Sequence, residues 1–251
     1  MKRKLLYLIP LSAMIIGCGT TETTSTPNGE GSIDLRSYLE KEDISKNYQL
    51  INKEVGQNAT PQFYTESTTV SADKVERKID GISTTIINIG EKKITYTDVS
   101  DEGNIETSFY RHVDINDILF SVDINKTQKL MLETVELGTR VELGSNSCKL
   151  EEQLKEFTHG SNSWTGDILK IKCTKTTTIT TKIKDEFVGT VNYINGTEDS
   201  LDISYKYQKK DTGVIASIDD NCIPANMHYP DDSTECSDEN KSYSYIYYLG
   251  N

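Results

Sequence analysis

Four cysteines, Cys148, Cys173, Cys222 and Cys236, and three histidines, His112, His159 and His228, are the residues of this chain best suited to bind a metal or act as nucleophile and base. Their spacing supports neither role. No Cys-x-x-Cys pair is present for thiol exchange, and the histidines stand at no zinc-ligand interval from the cysteines. The chain also lacks Gly-x-x-x-x-Gly-Lys for phosphates, His-Glu-x-x-His for zinc and Gly-x-Ser-x-Gly for an activated serine. Ser71-Ala72-Asp73-Lys74 has a spacing at which a lysine can activate a serine. The companion Ser-Asp-Asn and Lys-Thr-Gly are missing, so the match reads as chance. Asp98 to Glu106 places Gly103 sixth, as in a calcium loop, but the twelfth residue is Phe109 where a bidentate Glu belongs. A solvated turn is the better reading.

Two further features could contact a ligand. Asp219, Asp220, Asp231, Asp232, Glu235, Asp238 and Glu239 crowd the C-terminal region and could gather Ca²⁺, though a charged loop explains them as well. Trp164, the only tryptophan, lies among Ser, Asn, Thr and Gly at a predicted hairpin tip. It could touch a ligand there, or fold back onto the sheet as an anchor. No convergent nucleophile, base or metal set emerges, so the sequence predicts no catalytic residue, no metal and no cofactor.

Charge narrows the partners. Lys and Arg number 27 against 39 Asp and Glu, a formal charge of −12. Residues 1–17 hold Lys2, Arg3 and Lys4 and no acid, so without them 24 bases face 39 acids, or −15. Such a field repels nucleic acid and anionic head groups, and nucleic-acid binding is set aside.

The amino terminus carries the most specific signal. Met1-Lys2-Arg3-Lys4 is basic, and Leu5–Ile16 is an apolar run broken only by Pro10 and Ser12. A run of this length is too short for a membrane-spanning helix, which needs roughly 20 residues. It closes as Ile15-Ile16-Gly17-Cys18, which resembles the lipobox of bacterial lipoproteins. The resemblance implies cleavage after Gly17 and a diacylglyceryl group on the Cys18 thiol. It also implies a membrane-anchored protein of the cell envelope. Gly19, where an Asp would retain a protein at the inner membrane, implies the outer membrane in a cell that has one. Residues 18–32 then read as a flexible tether of Thr, Ser, Gly, Pro and Glu, and 33–251 as one β-rich extracytoplasmic domain.

Outside the cytoplasm an even number of remaining cysteines favours disulfides. The sequence-local pairing is Cys148 with Cys173 and Cys222 with Cys236, each closure stabilising by roughly 3 kcal/mol. The first would join the two strands of a long hairpin, which favours an extended Lys149–Phe157 over the helix that Leu150, Leu154 and Phe157 could also form.

These residues must be held by strands. Short alternating runs at 62–70, 84–89, 92–99, 105–113, 119–123, 130–143, 168–183, 201–207, 214–218 and 243–249 are separated by turn residues such as Gly90-Glu91 and Asp211-Thr212-Gly213. Only Leu35, Tyr38 and Leu39 suggest a helical turn, capped by Asp34. The expected fold is mainly β, an antiparallel sheet that buries one face on itself as a strongly curved half-barrel or a sandwich. The function this favours is a structural or interaction module of the envelope with a protein partner. The alternative is a carrier holding lipid or another hydrophobic ligand in a curved sheet, for which Tyr205–Ser217 faintly resembles the hairpins of periplasmic lipid carriers.

Overall fold

The computed structural model describes residues 33–53, 61–79, 83–100, 103–132, 135–187, 190–219, 221–222 and 241–249. The signal at 1–17, Cys18, the tether at 18–32, Cys236 and most of the acidic C-terminal region lie outside the described residues.

The described residues are almost wholly strands. In order they are β1 (Ile33–Asp34), β2 (Ile44–Lys53), β3 (Gln62–Val70), β4 (Lys74–Ile79), β5 (Ser83–Ile89), β6 (Lys93–Ser100), β7 (Gly103–Tyr110), β8 (His112–Val113), β9 (Ile118–Leu132), β10 (Val135–His159), β11 (Asn162–Phe187), β12 (Thr190–Lys209), β13 (Gly213–Asp219), β14 (Asn221–Cys222) and β15 (Lys241–Leu249). A single 3-10 turn, Leu35–Tyr38, follows β1. Asp34 caps it as the sequence predicts, its carboxylate accepting from the Arg36 amide at 3.0 Å.

One antiparallel sheet contains every strand but β1 and β8, which pair with each other. Its order is β7-β6-β5-β4-β3-β2-β15-β13-β12-β11-β10-β9, with β14 beside β15. Two meanders, β2 to β7 and β9 to β13, are thus stitched together by the last strand. The sheet is continuous yet curls until its halves face each other. Val75, Ile87 and Ile94 of one half share a buried core with Leu119, Cys148, Leu150, Leu169 and Ile171 of the other. The expected curved antiparallel fold is therefore present, as one sheet.

The two edges, β7 and β9, come within 8 Å at Cα but form no ladder, so the barrel is not closed. Side chains bridge the seam instead. Phe109 of β7 stacks on Phe120 of β9 with centroids 5.5 Å apart, and Tyr96 of β6 continues the row 5.0 Å from Phe109.

The segment 33–41 plugs one end. Leu35 donates to the Arg111 carbonyl, Arg36 to that of Ala72, and Asp211 donates back to Ser37. Asp34 receives two bonds from Arg111 at 2.9 and 2.6 Å, and those bonds hold its carboxyl below the usual range against the opposing effect of partial burial. The chain around Ala72, Arg111 and Asp211 is thereby tied to one short segment.

At the other end the sheet outgrows the curl. β10 and β11 run 25 and 26 residues, about 85 Å at the usual rise, and pair from Gly138–Ile183 to His159–Asn162. Lys149–Phe157 is extended and Cys148 lies opposite Cys173, as the cysteine argument required. The run read from the sequence at 130–143 spans two strands, since β9 ends at Leu132 and β10 begins at Val135 and continues through Gly138.

Candidate functional site

Curling one sheet on itself leaves space inside, and here it is not filled. A cavity of about 100 Å³ lies between the facing halves. Its two walls differ in chemistry. Phe109, Leu119 and Phe120 at the seam and Cys148, Ile171 and Cys173 on β10 and β11 make an apolar wall. Glu66, Arg77, Thr85 and Asp98 on β3 to β6, with Lys206 and Gln208 on β12, make a polar one.

Register explains why these side chains meet. On β4, Val75, Arg77 and Ile79 share one parity, so a cation sits in the row whose neighbours are apolar. Arg77 stands opposite Thr85, and Thr85 opposite Asp98, placing all three on the inner face. The Thr85 hydroxyl donates to Asp98 at 2.8 Å. On β12, Lys206 and Gln208 alternate with Tyr205 and Tyr207, which face the other side.

Behind the polar wall lies a buried ionic cluster. Arg77 reaches Glu40 through Nε at 3.2 Å and through a terminal nitrogen at 2.8 Å, and Lys46 Nζ donates to the other Glu40 oxygen. Glu66 is 3.9 Å from Lys46 and accepts from the Tyr48 hydroxyl at 3.2 Å. Glu40, Lys46, Glu66 and Tyr48 are all nearly without solvent contact. Burial alone would push the Glu40 carboxyl up, but Arg77 and Lys46 outweigh it and hold the group down to about 2. Burial drives Lys46 below its usual range, with Glu40 opposing. Tyr48 is pushed well up by burial, with Glu66 adding to it, and Tyr96 is raised chiefly by burial, so both phenols stay neutral. Unpaired, such charges would be costly here; paired, they fix Arg77 as a rigid floor of the cavity.

The predicted site residues divide. Cys148 and Cys173 are disulfide-bonded and line the apolar wall. Cys222 lies in β14, opposite Lys241. Trp164 does not reach the cavity. It is buried on the opposite face of the sheet, stacked on Phe157, which in turn stacks on Tyr207 at 3.7 Å. The Ser71–Lys74 match is a tight turn in which Ser71 hydroxyl and amide both donate to the Lys74 carbonyl. Asp98, read from the sequence as the start of a solvated turn, faces inward on β6 instead. Among the described residues no group of three or more His, Cys, Asp or Glu is placed to hold a metal ion.

Glu40, Lys46, Glu66 and Arg77 were not singled out by sequence. A usable signal exists for Arg77, a charge flanked at i−2 and i+2 by Val75 and Ile79. Lys46 carries the same mark, between Ile44 and Tyr48 at i−2 and i+2, whereas Glu66 stands between Tyr64 and Thr68. Comparison with family models, with curated proteins and with solved structures finds no match for this chain.

Proposed function

We propose that this is a lipid-anchored protein of the cell envelope, held by an acylated Cys18, whose curled sheet binds a small molecule. The cavity between the sheet halves carries this reading, since filling it with core side chains would have been the simpler route to stability. A split lining of apolar and fixed polar groups is the usual make-up of a ligand site. Size refines the carrier idea. Sites for drug-sized ligands span roughly 300–1,000 Å³, so a space of about 100 Å³ suits a far smaller molecule than a membrane lipid. The anchor follows from the lipobox resemblance, and two or more acyl chains suffice for stable attachment. The outer membrane is the proposed address in a cell that has one.

Native mass spectrometry of the full chain, released from its own membranes in detergent, tests the binding function. A co-purifying small molecule is expected, and a mass fully accounted for by polypeptide and acyl groups would count against it. Palmitate labelling tests the anchor: label should be lost in Cys18→Ser.

A second reading, an envelope interaction module, is favoured by one observation. Leu143 of β10 and Leu201 of β12 lie on the same face of the long strands and are about half exposed. A protein partner would cover them.

A further inference from the structure

One stretch of the chain, far along β9 from the cavity, carries a chemistry of its own. Asp123-Ile124-Asn125-Lys126-Thr127 contains Asn-x-Thr, the acceptor sequence for N-linked sugars in exported proteins. With an acid two residues before the asparagine, it resembles the longer acceptor of bacteria that N-glycosylate exported proteins. We propose that Asn125 is an N-glycan acceptor. The site rests on the export reading given above and is independent of the cavity.

Sequence sets this stretch apart. Asn58-Ala59-Thr60 and Asn195-Gly196-Thr197 also read Asn-x-Thr, but Gly56 and Tyr193 stand where the acid belongs. Asp238-Glu239-Asn240-Lys241-Ser242 has the acid, and its asparagine lies outside the described residues.

The fold presents Asn125 outward. Phe120 lines the cavity and Ile124 is buried, so the alternate residues Asp123, Asn125 and Thr127 share the outer face. All three are exposed. β9 is also the last strand of the sheet, and Asn125 lies at the middle of Ile118–Leu132. An edge strand of this length is open to pairing with another chain, and a sugar at its middle would obstruct that. Directly across the ladder from Asn125 stands Leu143, about half exposed. Opposed side chains have Cβ atoms about 5 Å apart. The first sugar would therefore cover the leucine otherwise open to a protein partner.

The donor is an oligosaccharide carried on a polyprenyl pyrophosphate, and the catalyst is a transferase of the export compartment. The Asn125 side-chain nitrogen attacks the anomeric carbon of the first sugar. A C–N bond forms, and the C–O bond to the pyrophosphate breaks. The amide nitrogen gives one proton to a base of the transferase, and the polyprenyl pyrophosphate leaves. Asp123 and Thr127 serve recognition, offering a charge and a hydroxyl to the transferase.

Peptide mapping by mass spectrometry, on the full chain purified from its own membranes after palmitate labelling, tests the site. The peptide holding Asn125 should carry a glycan, and those holding Asn58 and Asn195 should be bare. Asp123→Ala should lower occupancy about tenfold in the same cells, and Asp123→Glu should restore it. In the glycosylated chain, NMR should show contacts between the first sugar and the Leu143 methyl groups. A bare Asn125 on palmitate-labelled chain would overturn the glycan site alone. A bare Asn125 on unlabelled chain would remove the export reading and the site with it. Glycan on Asn58, Asn195 or Asn240 but not Asn125, or occupancy unmoved by Asp123→Ala, would also overturn the assignment.

Discussion

The Oε1 oxygen of Glu40 lies 2.1 Å from the point where a Cβ on Gly213 would stand. The turn between β12 and β13 is thus seated directly on the buried carboxylate, and Gly213 has a φ of +80° as well. Plug, ionic cluster and turn are one assembly, and the cavity floor depends on it.

Replacing Gly213 with Ala should therefore cost far more than an ordinary turn substitution. A left-handed L-residue costs about 1–2 kcal/mol, and the methyl would also push Glu40 off Arg77 and Lys46. Urea unfolding should show a loss of about 3 kcal/mol or more. Gly160→Ala is the control, with φ of +59° but nothing within 4 Å, and should cost only about 1 kcal/mol.

Acid should loosen the same assembly. The Glu40 carboxyl is held at about 2 in the folded chain against 4.5 when unperturbed. As pH falls, the unfolded chain binds that proton first. The stabilisation is then complete above about 4.5 and lost between 4.5 and 2, amounting to roughly 3 kcal/mol. Urea midpoints measured at pH 7 and pH 3 should differ by less in Glu40→Gln than in the parent; an equal difference would remove Glu40 from this role.

Removing Arg77 alone leaves Glu40 with Lys46 as its remaining cationic partner. Arg77→Met should destabilise by about 3–5 kcal/mol, the usual cost of breaking a buried pair. Adding Glu40→Gln to that variant should recover part of the loss, because the stranded charge is gone. Additive losses in a double-mutant cycle would contradict the coupling.

Non-reducing peptide mapping should return Cys148 joined to Cys173, and reduction should cost about 3 kcal/mol by loop closure over a sequence separation of 25. Cys222 is expected to pair with Cys236.

Most strands were legible because their residues alternate and their turns are marked by Gly, Asp and Asn, but β2 and β4 fall outside the runs read from the sequence. The hairpin of β10 and β11 was legible because two cysteines needed to face each other. The site was not, and β3 shows why. Its inner face carries Glu66 and Thr68, while the exposed parity carries Phe63. Apolar alternation, the main guide to which face is buried, is weak there, with Tyr64 and Val70 on the inner parity and Phe63 on the outer. Polar groups inside a curled sheet are satisfied by partners far along the chain, as Arg77 is by Glu40 and the Tyr48 hydroxyl by the Val214 carbonyl. Pairings of that kind are set by the curl, which local pattern does not encode. Trp164 shows the converse: its isolation among small polar residues suggests exposure, yet Phe157 and Tyr207 supply the surface it covers.

The space between Phe109, Phe120 and Arg77 is what the binding function rests on. Apolar cavity surfaces take up xenon, and the wall of Phe109, Phe120 and Ile171 is such a surface, so a crystal structure of the protein under xenon pressure tests it directly. A xenon atom bounded by Phe109, Phe120 and Ile171 is the predicted result. Those same side chains packed into contact across the sheet, with no xenon between them, would contradict the account.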